Sequence, residues 1–278
     1  MIKKGLQDTP EDPHDFPLGS LVRLPKLEEL PEEFVLETIS VKDQKDTDFC
    51  TAFASCLLSE MQEGVVLSPE YQFALSKNLS GGIDEWGQNI RAMLKSHTKA
   101  GALEQKDAPY SLENKDPDFL RRLANWPAEL IQKIGFHKKK SFAKITGPYD
   151  HFDNIRATIW KFRNEKRGAL SGLLWQWGLD EYELTGTNNE GQGHALPYIG
   201  WSRNGIISQN SAGKEAGILG RHNISKETIN HFVERYGAYM MIDLSPDELR
   251  YYLENGIKLE DNWITAIRKS LFSFMLCR

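Results

Sequence analysis

The sequence predicts an α+β protein of two facing halves, helices first and antiparallel strands after. Three observations carry that expectation. Apolar residues recur at helical spacing through the first half, the period shortens near residue 140, and short runs bounded by Gly, Asn and Arg follow. With 278 residues, 40% of them hydrophobic, the chain can also bury a large core.

Residues 1–29, rich in Pro, Asp, Glu and Leu, read as an extended arm that wraps rather than folds alone. From Thr51 to Met61, Phe53, Leu57 and Met61 form one helical stripe, with Cys50 at its first turn. "LSPEYQFALSKN" opens a second helix, with Ser68 as N-cap and Pro69 at the first helical position. "DEWGQNIRAMLKSHTKAG" gives a third, capped near Asp84 and stopped at Gly101. "DPDFLRRLANWPAELIQKIG" gives a pair broken at Pro127, which cannot continue a helix. "SFAKIT" then alternates like a strand, and another helix covers about 153–166. "GALSGLLWQW", "HALPYIGW", "GIISQN" and "GAYMMID" read as antiparallel strands. Ser245, Pro246 and Glu248 make a capping box, and a last helix is expected from about Asp261.

Several function classes drop out. The formal charge is −5 and the longest basic string, Lys138 to Lys140, sits in a turn, so no nucleic-acid partner is expected. The first twenty residues hold no apolar run, so no signal peptide is expected, and nothing approaches the ~18 apolar residues of a membrane span. The expected location is cytoplasmic or virion-associated. Cys50, Cys56 and Cys277 form neither a disulfide framework nor a zinc knuckle. His14, His97, His137, His151, His222 and His231 lack metal-ligand spacing, and "GQG" before His194 lacks a P-loop Lys-Ser/Thr. No metal or cofactor is expected. Cys56 reads as core, Cys277 as packing in an apolar tail, and Trp175 and Trp177 as packing on one strand face.

Cys50 is different, because a thiolate is a nucleophile and a helix N-terminus favours the anion. A base must lie within reach, and a third group must orient that base. His194 opens a strand 144 positions after Cys50, and Asn210 ends the next strand sixteen residues later. Adjacent antiparallel strands can set such residues side by side.

Gln44 lies six before Cys50, Ala52 and Phe53 follow it, His194 opens a Gly-flanked strand, and Asn210 precedes Ser211 and Gly213. This set resembles the papain-like cysteine peptidases, over about residues 30–243. "NLSGG" and "DAPY" are similar to that family's Gly-Gly substrate loop and the Pro-Tyr after it. The resemblance implies a two-lobed fold, a helical N-terminal lobe around a central helix and an antiparallel β lobe, with residues 244–278 as a helical extension. It implies Cys50 as nucleophile, His194 as base, Asn210 as its orienter, and Gln44 with the Cys50 N–H as oxyanion hole. Gly81 and Gly82 would pair with substrate backbone, and Gly193 would line the cleft. Thr51 after the nucleophile is more similar to bacterial and phage members.

The departures carry expectations too. Lys45 and Asp48 stand where the family usually has Gly, and Asp48 is expected to crowd the cleft and select against acidic substrates. Ala212 and Ala216 replace the family's two indoles, so the Asn210–His194 hydrogen bond is expected to be wet. Thr47 and Leu79 stand where a disulfide would be, which suits a reducing compartment. The resemblance thus implies a peptide or protein substrate. The alternative is a papain-fold structural or binding component, meeting an assembly through the N-terminal arm or the C-terminal helices.

Overall fold

The computed structural model describes residues 5–259, so the expected helix from Asp261 and Cys277 lie outside the described residues. The arm is built into the body. It carries β1 (Phe16–Pro17), the single-turn α1 (Leu18–Leu21) and a 3₁₀ turn at Leu27–Glu29, and β2 (Phe34–Val35) follows it.

The helical lobe follows. Its centre is α2 (Cys50–Glu63), whose residues from Cys50 to Met61 are all buried. A helix buried on every side, Thr51, Ser55, Ser59 and Glu60 included, needs cover on every side. Ala52 and Phe53 face an aromatic cluster with Phe49, Tyr71 and Phe73, while Ala54, Leu57, Leu58 and Met61 face the sheet. Helix α2 stops at Gly64, which takes the left-handed φ of 74° that favours glycine. In α3 (Pro69–Ser80), Ser68 accepts the Tyr71 N–H at 3.3 Å, as its sequence predicts. The next helix, α4 (Ile90–Lys99), starts later than expected. Asn89 caps it by accepting the Ala92 N–H at 2.8 Å, whereas Asp84 pairs with Arg122. The helix pair expected around Pro127 shrinks to α5 (Pro117–Leu120) and single turns of 3₁₀ helix. Tertiary contacts override helix propensity there: the Trp126 indole N–H caps the Leu120 carbonyl, and Arg121 turns inward to Asp48.

The second lobe opens with β3 (Ser141–Lys144) and α6 (His151–Lys161), then β4 (Ala169–Trp175), β5 (Glu183–Leu184), β6 (Gln192–Trp201) and β7 (Gly205–Gln209). Residues 221–236, for which periodicity offers no assignment, form β8 (Arg221–Ser225) and α7 (Lys226–Tyr236). β9 (Tyr239–Ile242) and α8 (Pro246–Glu254) close the described chain, α8 with the expected Ser245–Glu248 capping box. The sheet runs β1-β3-β9-β4-β6-β7-β8-β5, with β2 on β6. All pairs are antiparallel except β1 with β3 and β5 with β8. Helix α2 packs its sheet-facing side against β6, which places the start of one beside the start of the other.

Arm residues 5–17 are clamped by both lobes. Arg235 on α7 holds Asp8 at 2.8 Å, and Arg91 on α4 holds Asp15 at 2.9 Å and the Pro10 carbonyl at 2.6 Å. No helix among the described residues is long and apolar enough to cross a membrane.

Candidate active site

Cys50 is the first residue of α2, and its side chain is fully buried. Its sulfur receives the Ala195 N–H at 3.5 Å, which sets it against the peptide bond joining His194 to Ala195. His194 lies in the first half of β6, opposite Leu173 of β4. Its Nε2–H donates to Asn210 Oδ1 at 2.8 Å, and Ser211 N–H donates to the same oxygen at 2.8 Å. In the neutral imidazole that leaves the lone pair on Nδ1. Cys50, His194 and Asn210, far apart in the sequence, therefore lie together.

Gln44 is fixed from three directions. Its backbone N–H donates to the Ser211 carbonyl at 2.8 Å, its Oε1 accepts the Ser211 hydroxyl at 2.6 Å, and its Nε2 donates to the Thr47 carbonyl at 2.8 Å. Ser211 thus ties the Gln44 segment to the one carrying Asn210. Lys45, where the family has Gly, adopts a left-handed φ of 53° and pairs with Asp43.

Two expectations need correction. Asp48 does not reach the cleft: it is fully buried, accepts the Gly87 N–H at 2.5 Å and pairs with Arg121 at 3.1 Å. A carboxylate spent on two buried donors has no charge to offer a substrate. Gly81 is the left-handed C-cap of α3, and a side chain built on it would meet open space. Gly82 follows it, near only Glu85. The backbone that reaches across the cleft is instead Gln88, whose N–H and C=O bond the Gly5 carbonyl (2.7 Å) and the Gln7 N–H (3.2 Å).

The second correction concerns water. His194 is fully buried and Asn210 is 2% exposed, so their hydrogen bond is dry. Ala212 and Ala216 supply no indole, but Trp175 does. Two positions beyond Leu173 on β4, it lies diagonal to His194 on the same sheet face. Its ring meets His194 edge-on at 5.2 Å and His222 at 5.1 Å. Sequence reasoning missed this role because cross-strand register is not written in either strand alone. It missed His222 as well, having looked there only for metal-ligand spacing.

Leu6 fills the groove between the lobes. Its N–H donates to the Gly193 carbonyl at 2.8 Å, and a Cβ on Gly193 would stand 2.2 Å from the Leu6 carbonyl oxygen. A Cβ on Gly172 would stand 2.0 Å from the Leu6 side chain. Gly5 lies equally close on Asp48, two residues before Cys50. The arm therefore crosses from beside the thiol to beside the imidazole.

The geometry has solved counterparts. Over 87% of this chain and 97% of the other, the structure is similar to xylellain, a cysteine protease from Xylella fastidiosa, at TM-score 0.68 and 16% identity. The fold is that of the papain-like cysteine proteases. The papain-like procathepsin B S9 from Trypanosoma congolense matches at TM-score 0.58 and 12% identity, over 86% of this chain and 87% of that one. The bromelain protease from Ananas comosus matches at TM-score 0.53 and 14% identity, over 77% and 100%. No family model matches the sequence, and no curated protein sequence does.

Cys56, one turn and a half into the papain-like central helix, behaves as core. Burial pushes its thiol far above the ordinary range, so it stays protonated and inert. Neither Cys50 nor Cys56 enters a disulfide.

Proposed function

We propose that the protein is a cysteine peptidase that cleaves peptide bonds through an acyl-enzyme on Cys50. The observation that carries this reading is the Cys50 sulfur beside β6, with His194 on that strand oriented by Asn210 at 2.8 Å. In this reading His194 Nδ1 takes the thiol proton, and the sulfur attacks the scissile carbonyl. The Cys50 N–H and Gln44 Nε2–H receive the developing oxyanion, a contribution of about 3–4 kcal/mol to the barrier. His194 then gives its proton to the leaving amine, and water releases the acyl group by the reverse sequence. The substrate is a peptide or protein in extended form, because the groove already holds an extended strand by backbone hydrogen bonds.

One observation favours a second reading, a papain-fold binding or structural component without turnover. Cys50 and His194 are both wholly buried, with Gly5 and Leu6 across the groove beside them. Labelling with iodoacetamide or an epoxysuccinyl probe separates the two, with Cys50→Ala as control. The peptidase reading expects labelling at Cys50 faster than that of free cysteine at pH 6, accelerated when Leu6→Ser loosens the arm. Labelling no faster than free cysteine in both chains would select the structural component.

A further inference from the structure

His222 on β8 is fully buried and lies outside the Cys50–His194–Asn210 set. Its hydrogen bonds leave it one protonation state. Asn210 Oδ1 is committed to two donors, His194 Nε2–H and Ser211 N–H, each at 2.8 Å. The amide must therefore point its NH2 the other way, where Nδ2 meets His222 Nε2 at 3.1 Å. An NH2 needs an acceptor, so Nε2 carries the lone pair and Nδ1 carries the proton. The Glu181 backbone carbonyl, 2.6 Å from Nδ1, is there to receive it. The chain of donors and acceptors runs from a fixed peptide carbonyl through His222 and Asn210 to His194. Trp175 covers both imidazoles edge-on and keeps water from breaking it.

We propose that His222 is a positioning residue of the active site, holding the Asn210 amide so that its oxygen faces His194. This rests on the peptidase reading above. Without an acceptor at His222, the buried Asn210 NH2 is left unpaired and nothing holds the amide against turning, which takes Oδ1 off His194 Nε2. His194 then loses its orienting partner and no longer aims Nδ1 at the thiol. Ring orientation of the base is thus set two contacts away, on β8, a strand that carries no triad member.

The test is a double-mutant cycle on the full chain, read as the second-order rate constant for alkylation of Cys50 in the Leu6→Ser background. His222→Phe keeps the ring volume and removes the acceptor, and should slow the reaction by about 5- to 100-fold, the range for a buried polar group left unpaired. His222→Gln can still accept from Asn210 Nδ2 and should stay within about threefold of the parent. In an Asn210→Ala chain, His222→Phe should change nothing further, because its effect passes through the amide. Equal losses for Phe and Gln, or additive losses with Asn210→Ala, would overturn the proposal. Should His222→Phe fail to fold, imidazole ¹⁵N shifts of the wild-type chain decide. A neutral His222 protonated on Nδ1 supports the proposal, and one protonated on Nε2 overturns it. A parent chain no more reactive than free cysteine is a separate outcome: it defeats the peptidase reading, and this proposal with it.

Discussion

The two walls of the groove are polar in different ways. The helical wall holds ions: Asp48 with Arg121, Lys42 with Glu60, Arg91 with Asp15, and Lys77 against the Glu85 carbonyl. The sheet wall holds a line of hydrogen-bonded groups, from the Glu181 carbonyl through His222 and Asn210 to His194. Buried ions are costly to unpair but bear on nothing beyond their partners, so they suit architecture. Hydrogen-bonded groups with one allowed arrangement set direction, and direction is what a base needs. The helical wall keeps the shape, and the sheet wall aims the chemistry.

The first way to break that contrast is Arg121→Met. It strands Asp48 as a buried charge and should cost about 3–5 kcal/mol, read from the urea midpoint. Cys50 alkylation in the folded fraction should stay within about twofold, since nothing on the sheet wall moves. A large loss of reactivity at preserved stability would refute the division.

Acid should act on the helical wall next. His97 on α4 is buried against the Ser55 hydroxyl at 3.0 Å, and burial first, then the Lys139 charge, pushes its pKa down to about 3. Its folded value lies below the ordinary 6.5, so between those values the unfolded chain binds the extra proton. Stability contributed by this group is whole above pH 6.5 and drains as pH falls, by about 3 kcal/mol at pH 4. His97→Gln should remove that part of the slope; an unchanged slope would show that His97 is accessible.

The arm comes third. Burying a leucine side chain is worth about 1.5–3 kcal/mol, so Leu6→Asp should raise Cys50 alkylation at least about tenfold. No acceleration would mean that another segment guards the thiol. The smallest effect is expected at Trp175. Each edge-on contact contributes about 0.5–1.5 kcal/mol, so Trp175→Leu should slow alkylation about fivefold. It should also increase solvent exchange at the His194 imidazole N–H; unchanged exchange would give the dry bond another cause.

What the sequence made legible were residues at element boundaries. Cys50 opens a helix, His194 sits on β6 and Asn210 directly follows β7, the two strands joined by a short turn, so local pattern and spacing sufficed. Asp48 was misread because its fate depends on Arg121, 73 positions away in an irregular stretch. Trp175 and His222 were read only for packing or metal ligation, because their neighbours are set by strand register between β4, β6 and β8. The glycine pair also marks a helix end: Gly81 caps α3, and the arm pairs with Gln88. Non-local pairing, not local propensity, separates what was read from what was missed.

The covalent attachment of Leu6 changes what dilution can do. An inhibitor supplied as a separate molecule leaves as the solution thins, whereas a strand on the same chain competes at an effective concentration near millimolar, set by tether length. An arm whose own intrinsic affinity for the groove is micromolar would then weaken the apparent affinity of any competing peptide by roughly three orders of magnitude, at any protein concentration. Occupancy of the groove is therefore a property of one chain, altered by severing the arm or by releasing its Asp8 and Asp15 anchors from Arg235 and Arg91.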